Sequence, residues 1–195
     1  MLRRNLFFGL LVAGFLGRLA AADVAPLPIV PFSDAHLLAG TWDLVPARST
    51  QLSGWNALRL VITVDGPRVT LARQYIAGRR SFDDMMSLDL SKTGNVVPME
   101  GWPDNRYIGA YMGGDKMKKV RFRMFADGRL LRTSSDITLA TQQGEHFVNV
   151  LRDYRLSTNG EQLTVIELRS TRTDPIVQIF KRVTSATPLP SGNAE

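Results

Sequence analysis

The sequence predicts an all-β fold, a single closed antiparallel meander barrel of about eight to ten strands. Segments of roughly six to ten residues alternate apolar and polar side chains, which is typical of strands with one buried face. Turn dipeptides such as Asp65-Gly66 and Asn159-Gly160 separate these segments. The stretches between them show little helical periodicity. An open sheet of this many strands would leave edge strands with unpaired backbone groups, so we expect the sheet to close on itself.

The predicted strands follow one another with short turns. The clearest is 119–124, where Val120, Phe122 and Met124 alternate with basic residues. Period two begins at Thr41, and the strands predicted after it are 58–64, 69–76, 81–90, 119–124, 130–139, 147–156, 163–169 and 176–183. Before them, residues 34–39 are predicted to form a short N-terminal helical turn, with Gly40 as its stop.

The N-terminus has the three parts of a secretory signal peptide. Arg3 and Arg4 precede an apolar run, and small residues follow at 20–22. The run is shorter than the roughly 20 residues of a spanning helix, so stable membrane insertion is not expected. We predict that residues 1–22 are removed and that the protein is exported, to the periplasm or the extracellular space. Residues 3–7 (RRNLF) fit both a twin-arginine signal and an ordinary basic start, so both routes stay open.

The export prediction is tested at the mature N-terminus. Sequencing should begin at Asp23, and envelope protein that retains Met1 would contradict cleavage. Changing Arg3 and Arg4 to lysine should block export if the twin-arginine route is used, whereas unchanged export rejects that route.

The rest of the chain is predicted to hold one domain. Residues 23–39 form an extended lead and the helical turn, and residues 40–183 form the barrel. Residues 184–195 are polar and proline-containing and are predicted to be disordered.

Charge and cysteine content narrow the function classes. The net charge is +6, but part of the basic excess lies in the predicted signal, and the rest is spread along the strands. A solvated mixed surface explains this spread, so no nucleic-acid partner is predicted. The chain has no cysteine, which excludes a disulfide framework and leaves stability to the core.

Residues 38–49 (LAGTWDLVPARS) resemble the opening of lipocalin-like (calycin) barrels, in particular exported bacterial members that begin Leu-x-Gly-Thr-Trp. In that pattern, the Trp of the first strand packs under a basic residue of the last strand. Gly40 and Trp42 match the first part, and residues 179–182 (IFKR) match the closing strand. The resemblance implies that Gly40, Trp42 and Arg182 close the barrel structurally, with the Arg182 stem covering the indole. The chain lacks the disulfide pair and the middle motif of lipocalins.

No catalytic residue, metal site or cofactor is predicted. His36 and His146 are the only histidines, and they are interpreted as surface residues because no ligand spacing supports a metal. Asp83 and Asp84 resemble paired carboxylates, but adjacent strand residues face opposite ways. We interpret them as a solvated strand edge.

A basic strip consists of Lys116, Lys118, Lys119, Arg121 and Arg123. Such a strip suits an acidic ligand or phospholipid head groups. A wet barrel exterior is the favoured interpretation, because alternation puts the last three residues on one face of one strand.

Loop 99–106 (MEGWPDNR) is the candidate ligand-binding segment. An exposed Trp usually has a partner, so Trp102 is predicted either to contact a ligand or to fold back as a lid on the barrel end. Trp55 is a weaker case of the same kind.

These features lead to an expectation about function. We expect a non-enzymatic protein that binds a small apolar or amphipathic molecule inside the barrel. The alternative is a protein-interaction module or envelope inhibitor with a filled barrel. An enzyme is disfavoured because nucleophile and acid/base signatures are missing.

Overall fold

Eleven strands and two short 3₁₀ helices make up the part of the chain that the computed structural model describes, residues 32–50, 55–99, 111–112, 116–125 and 127–184. The 3₁₀ helices are Phe32–Leu38 and Pro46–Arg48. The strands are β1 (Gly40–Leu44), β2 (Ala57–Asp65), β3 (Arg68–Ala77), β4 (Arg80–Asp89), β5 (Asn95–Pro98), β6 (Tyr111–Met112), β7 (Met117–Phe125), β8 (Leu130–Thr141), β9 (Gly144–Leu156), β10 (Gln162–Arg169) and β11 (Ile176–Val183). The predicted signal peptide, Trp102 and the tail beyond residue 184 lie outside the described residues.

The strands form a nearly closed antiparallel barrel, which confirms the predicted all-β meander. Hydrogen-bonded neighbours run in the order β4-β3-β2-β1-β11-β10-β9-β8-β7-β5, and β6 pairs with β8 beside this path. The first and last strands are neighbours, with Trp42 opposite Arg182. The path ends at β4 and β5, which approach each other without a ladder between them. We call this interruption the seam.

The seam has a cause in the sequence of β5. This strand has only four residues and ends at Pro98, whose nitrogen carries no hydrogen for a second ladder. β5 therefore pairs with β7 on one side and remains an edge strand on the other. The prediction of a closed sheet differs from the structure only at this point.

Two ends of the barrel are distinguished by their tryptophans. β1 begins and β11 ends at the Trp42 end, where the 3₁₀ helix Phe32–Leu38 also lies. β2 begins at the Trp55 end, beside the turn from β3 to β4. Among the described residues, no helix is long and apolar enough to span a bilayer.

Candidate functional site

The barrel interior contains a level of polar side chains. The buried polar or charged residues among those described are Arg73, Asp84, Lys118, Thr133, Ser135, Arg152, Glu167 and Gln178. Residues two apart on a strand face the same side. Each of these eight residues lies two positions from a buried or partly buried apolar side chain, so each points inward. The Arg169 side chain, only 7% exposed, joins them through Glu167. We call these nine residues the polar belt.

The polar belt lies between apolar layers. On β9, Arg152 stands between Val150 and Tyr154, and both neighbours are fully buried. On β8, the belt positions lie between Leu131 and Ile137. Leu131 and Tyr154 belong to the core cluster that includes Trp42, whereas Val150 and Ile137 belong to a second cluster. On β8 and β9 the belt thus separates two apolar clusters, whereas on β3 Arg73 lies within the first cluster, between Leu71 and Tyr75.

Asp84 holds two cations from different strands. Its carboxylate accepts a hydrogen bond from Arg73 Nη1 of β3 at 2.8 Å and one from Lys118 Nζ of β7 at 3.0 Å. Arg73 Nη2 also donates to the hydroxyl of Tyr154 on β9. Burial raises the pKa of Asp84, but the two cations outweigh burial and hold that pKa below its usual range. Asp84 is therefore a carboxylate at neutral pH.

Glu167 organises the other half of the belt. It accepts hydrogen bonds from Arg152 Nε, on the neighbouring strand β9, and from Arg169 Nε. Burial alone would raise the pKa of Glu167, but the two guanidinium groups outweigh burial and lower it to about 2. The two ion pairs of Glu167 hold the side chains of Arg152 and Arg169 inside the barrel.

Among the residues that the structure describes, the belt has more positive than negative groups. Four cations, Arg73, Lys118, Arg152 and Arg169, share the carboxylates of Asp84 and Glu167. Burial lowers the pKa of Lys118, Asp84 offsets this in part, and the charges of Arg73 and Arg152 lower it further. An additional negative charge at this level would relieve the repulsion among the cations.

Two hydroxyl groups of the belt are buried without a hydrogen-bond partner in the described structure. They are Thr133 Oγ1 and Ser135 Oγ of β8, and their residues are 0% and 2% exposed. Thr133 lies opposite Arg152 in the β8–β9 ladder. A buried hydroxyl without a partner costs about 1–3 kcal/mol. Each hydroxyl can therefore donate a hydrogen bond to a further group or accept one from it. The guanidinium of Arg152 can donate to the same group.

The Trp55 end carries an aromatic cluster. The Trp55 ring centroid lies 5.6 Å from that of Tyr75 and 6.3 Å from that of Phe82. Burial is the main cause that raises the pKa of the Tyr75 phenol, so this hydroxyl stays protonated. Trp55 thus packs on rings of β3 and β4 at the end of the barrel, which is the lid-like arrangement rather than free exposure.

The structure brings together the three residues that the lipocalin-like resemblance implies. The guanidinium carbon of Arg182 lies 4.1 Å from the Trp42 ring centroid. Trp42 Nε1 donates to the carbonyl of Leu38 at 3.1 Å, and Arg182 Nη1 donates to that of Ala39 at 2.7 Å. Gly40 has φ +144, and a Cβ there would lie 2.5 Å from Arg182 Nη1. Glycine is therefore needed at position 40, where the Arg182 side chain passes close to the backbone.

Two interpretations from the sequence are wrong. Asp84 is not on a solvated edge, because it points inward to Arg73 while only Asp83 faces solvent. Lys118 does not belong to the exterior basic strip, since it is buried at the belt. A signal for both was present: Lys118 shares its strand face with Val120, and a charged residue on an apolar face must be paired inside.

The other candidates stay at the surface or outside the described residues. His36 and His146 are exposed, as are Lys119, Arg121 and Arg123. Among the described residues, no three His, Asp or Glu side chains come together as metal ligands. The Trp102 prediction falls outside the described part of the chain.

Similarity to known proteins was found among solved structures. No protein-family model matches the sequence, and no curated protein sequence matches it. Among solved structures, the chain is similar to a mutant of the REP1-NXSQ fatty acid transporter, with a TM-score of 0.42 and 13% sequence identity. The match covers 75% of this chain and 98% of that chain.

Proposed function

We propose that the protein is an exported, non-enzymatic carrier that binds a small amphipathic molecule inside the barrel. The apolar part of the ligand contacts the apolar layers, and its polar end, an anionic group, lies at the polar belt. The export part of this proposal depends on the predicted signal peptide.

The observation that carries the proposal is the pair of unpartnered hydroxyls at Thr133 and Ser135. Each of the two belt carboxylates, Asp84 and Glu167, already has two cationic partners. If the belt only stabilised the fold, the two hydroxyls would have no role in it. Thr133 lies opposite Arg152 and Ser135 lies opposite Val150. Among the described residues, the belt has four cations for two carboxylates. An anionic head group would complete both the hydrogen bonding and the charge balance.

One observation favours the alternative, a protein-interaction module with a filled barrel. The charged side chains of the belt pair with one another across several strands. A network of this kind can occupy an interior without a ligand. Native mass spectrometry of protein purified from its own envelope separates the two functions. A bound small molecule supports the carrier, and the bare chain mass at every step supports the filled barrel.

The change Thr133→Val tests the head-group site directly. Because it removes a buried hydroxyl that has no partner and keeps the shape, we expect the unliganded protein to gain about 1 kcal/mol of stability. The affinity for dodecanoate, measured by calorimetry, should fall about tenfold with the lost hydrogen bond. Dodecanol, which has the same chain without the charge, should bind more weakly than dodecanoate to the wild-type protein.

The matched control is Thr138→Val on the same strand, because Thr138 occupies an outward-facing position. It should leave the affinity for dodecanoate unchanged. Equal affinities of Thr133→Val and the wild type would contradict the head-group site. Destabilisation by Thr133→Val, with no binding of either probe, would favour the filled barrel with an internal water at Thr133.

A further inference from the structure

The seam between β4 and β5 differs from every other junction on the strand path. All other neighbours on the path share a hydrogen-bonded ladder, whereas among the described strands β4 pairs with β3 alone and β5 with β7 alone. Separating two strands without a ladder breaks no backbone hydrogen bond between them. Within the described barrel, the seam is therefore the junction at which separating two neighbouring strands costs the least free energy.

The Trp42 end of the seam is tied. Asp89 N–H donates to Asn95 Oδ1 at 2.9 Å, and Asn95 Nδ2 donates to the Asp89 carbonyl at 3.3 Å. These bonds join the last residue of β4 to the first residue of β5. Opening of the seam would begin away from this tie, toward the Trp55 end.

Farther along, a charged contact from the polar belt crosses the seam. Asp84 of β4 binds Lys118 of β7 at 3.0 Å. Lys118 lies opposite Val97 of β5, and both side chains are buried. The lysine thus reaches β4 on the inner side of β5. Because the pair is buried, breaking it takes the Asp84 carboxylate from the Lys118 ammonium unless water or another ion replaces it, whereas Asp84 keeps Arg73.

The outer face of each strand beside the seam carries an exposed apolar side chain. Met85 of β4 lies four residues before Asp89, and Val96 of β5 directly follows Asn95. Their exposed fractions are 59% and 61%. Exposed apolar side chains of this size at a junction favour contact with an apolar molecule.

We propose that the seam is a lateral portal through which the ligand enters and leaves the barrel, held shut by the Asp84–Lys118 ion pair. This inference rests on the proposed carrier function. Met85 and Val96 contact the apolar chain as it passes, and the ion pair re-forms behind the ligand. Since Lys118 also belongs to the belt, an arriving anionic head group competes with Asp84 for the ammonium and opens the seam for itself.

The first test needs no ligand. Lys118→Met removes the cross-seam bond and leaves Asp84 paired with Arg73. We expect amide hydrogen exchange to accelerate about tenfold in 80–89 and 95–98, with no comparable change in β9 and β10. Lys119→Met, on the outer face of the same strand, is the control and should leave all rates unchanged. A uniform acceleration or none in Lys118→Met overturns the role of the ion pair.

The second test uses the absence of cysteine from the chain. Met85→Cys and Val96→Cys are combined and joined by a flexible bismaleimide, and the single variants capped with N-ethylmaleimide are the controls. Dodecanoate exchange, followed by stopped-flow displacement, should slow about tenfold or more in the cross-linked protein while its affinity stays the same. Unchanged exchange rates overturn the portal. If no form binds dodecanoate or a native ligand, the carrier function fails and the portal fails with it, whereas the hydrogen-exchange result still decides whether the ion pair closes the seam.

Discussion

Replacing Trp42 by alanine should leave the protein close to unfolded at room temperature. The Trp42 side chain is fully buried, its indole nitrogen donates to Leu38, and Arg182 covers its face. Truncation of a buried Trp costs about 3–5 kcal/mol, against a total stability of about 5–15 kcal/mol for an ordinary domain. Urea unfolding followed by circular dichroism measures the loss. Arg182→Ala should be milder, because the indole stays packed.

A double-mutant cycle with softer changes isolates the contact itself. Trp42→Phe and Arg182→Met keep most of the volume while removing the indole and the charge. A guanidinium over a Trp face contributes about 0.5–2 kcal/mol beyond burial. We therefore expect a coupling energy above about 0.5 kcal/mol, the scatter for independent sites. Additive costs within that scatter would show that the two residues stabilise the barrel separately.

The second large effect concerns Glu167 and the polar belt. Glu167→Gln removes the carboxylate that Arg152 and Arg169 share, and the loss of one partner of a buried ion pair typically costs about 3–5 kcal/mol. Urea unfolding at neutral pH measures it. Glu161→Gln at an exposed position is the matched control and should change stability by less than about 0.5 kcal/mol. A wild-type stability for Glu167→Gln would mean that the belt is solvated well enough to need no counterion.

The same carboxylate makes stability depend on pH. The pKa of Glu167 falls from 4.5 to about 2 on folding, so the folded state binds the proton more weakly than the unfolded chain. Its contribution is fully present above about pH 4.5 and is lost as the pH falls toward 2, a change of about 3 kcal/mol. Between pH 5 and pH 3, the wild type should therefore lose more stability than Glu167→Gln. Parallel losses in the two proteins would contradict the lowered pKa.

Much of the fold could be predicted because strand signals are local. The alternation in 119–124 and the turn at Asn159-Gly160 are set by residues close in sequence, and the structure has β7 at Met117–Phe125 and a turn between β9 and β10. β5 was not predicted, because four residues containing a proline show too short a pattern. The seam follows from that strand.

The candidate site was missed for a different reason. Four charged residues of the belt lie on four different strands: Arg73, Asp84, Lys118 and Glu167. Of these four, only Arg73 and Asp84 are close in sequence, on the two sides of one turn. Alternation shows that each faces inward, but it does not show which one meets which across the barrel. Asp84 was interpreted together with Asp83 as a solvated strand edge, and Lys118 was grouped with the basic strip that extends to Arg123.

The sequence by itself therefore determined the meander order of the strands other than β5 and β6, the turns between them and the pairing of the first strand with the last, since these depend on local periodicity and on closure of a meander. Only the tertiary structure decided where charge is buried. Asp84 meets Arg73, and Glu167 meets Arg152, across neighbouring strands. Lys118 reaches Asp84 because curvature of the barrel brings inward positions of strands that share no ladder close together. The level of the polar belt holds the candidate site, the unpartnered hydroxyls of β8 and the ion pair that crosses the seam.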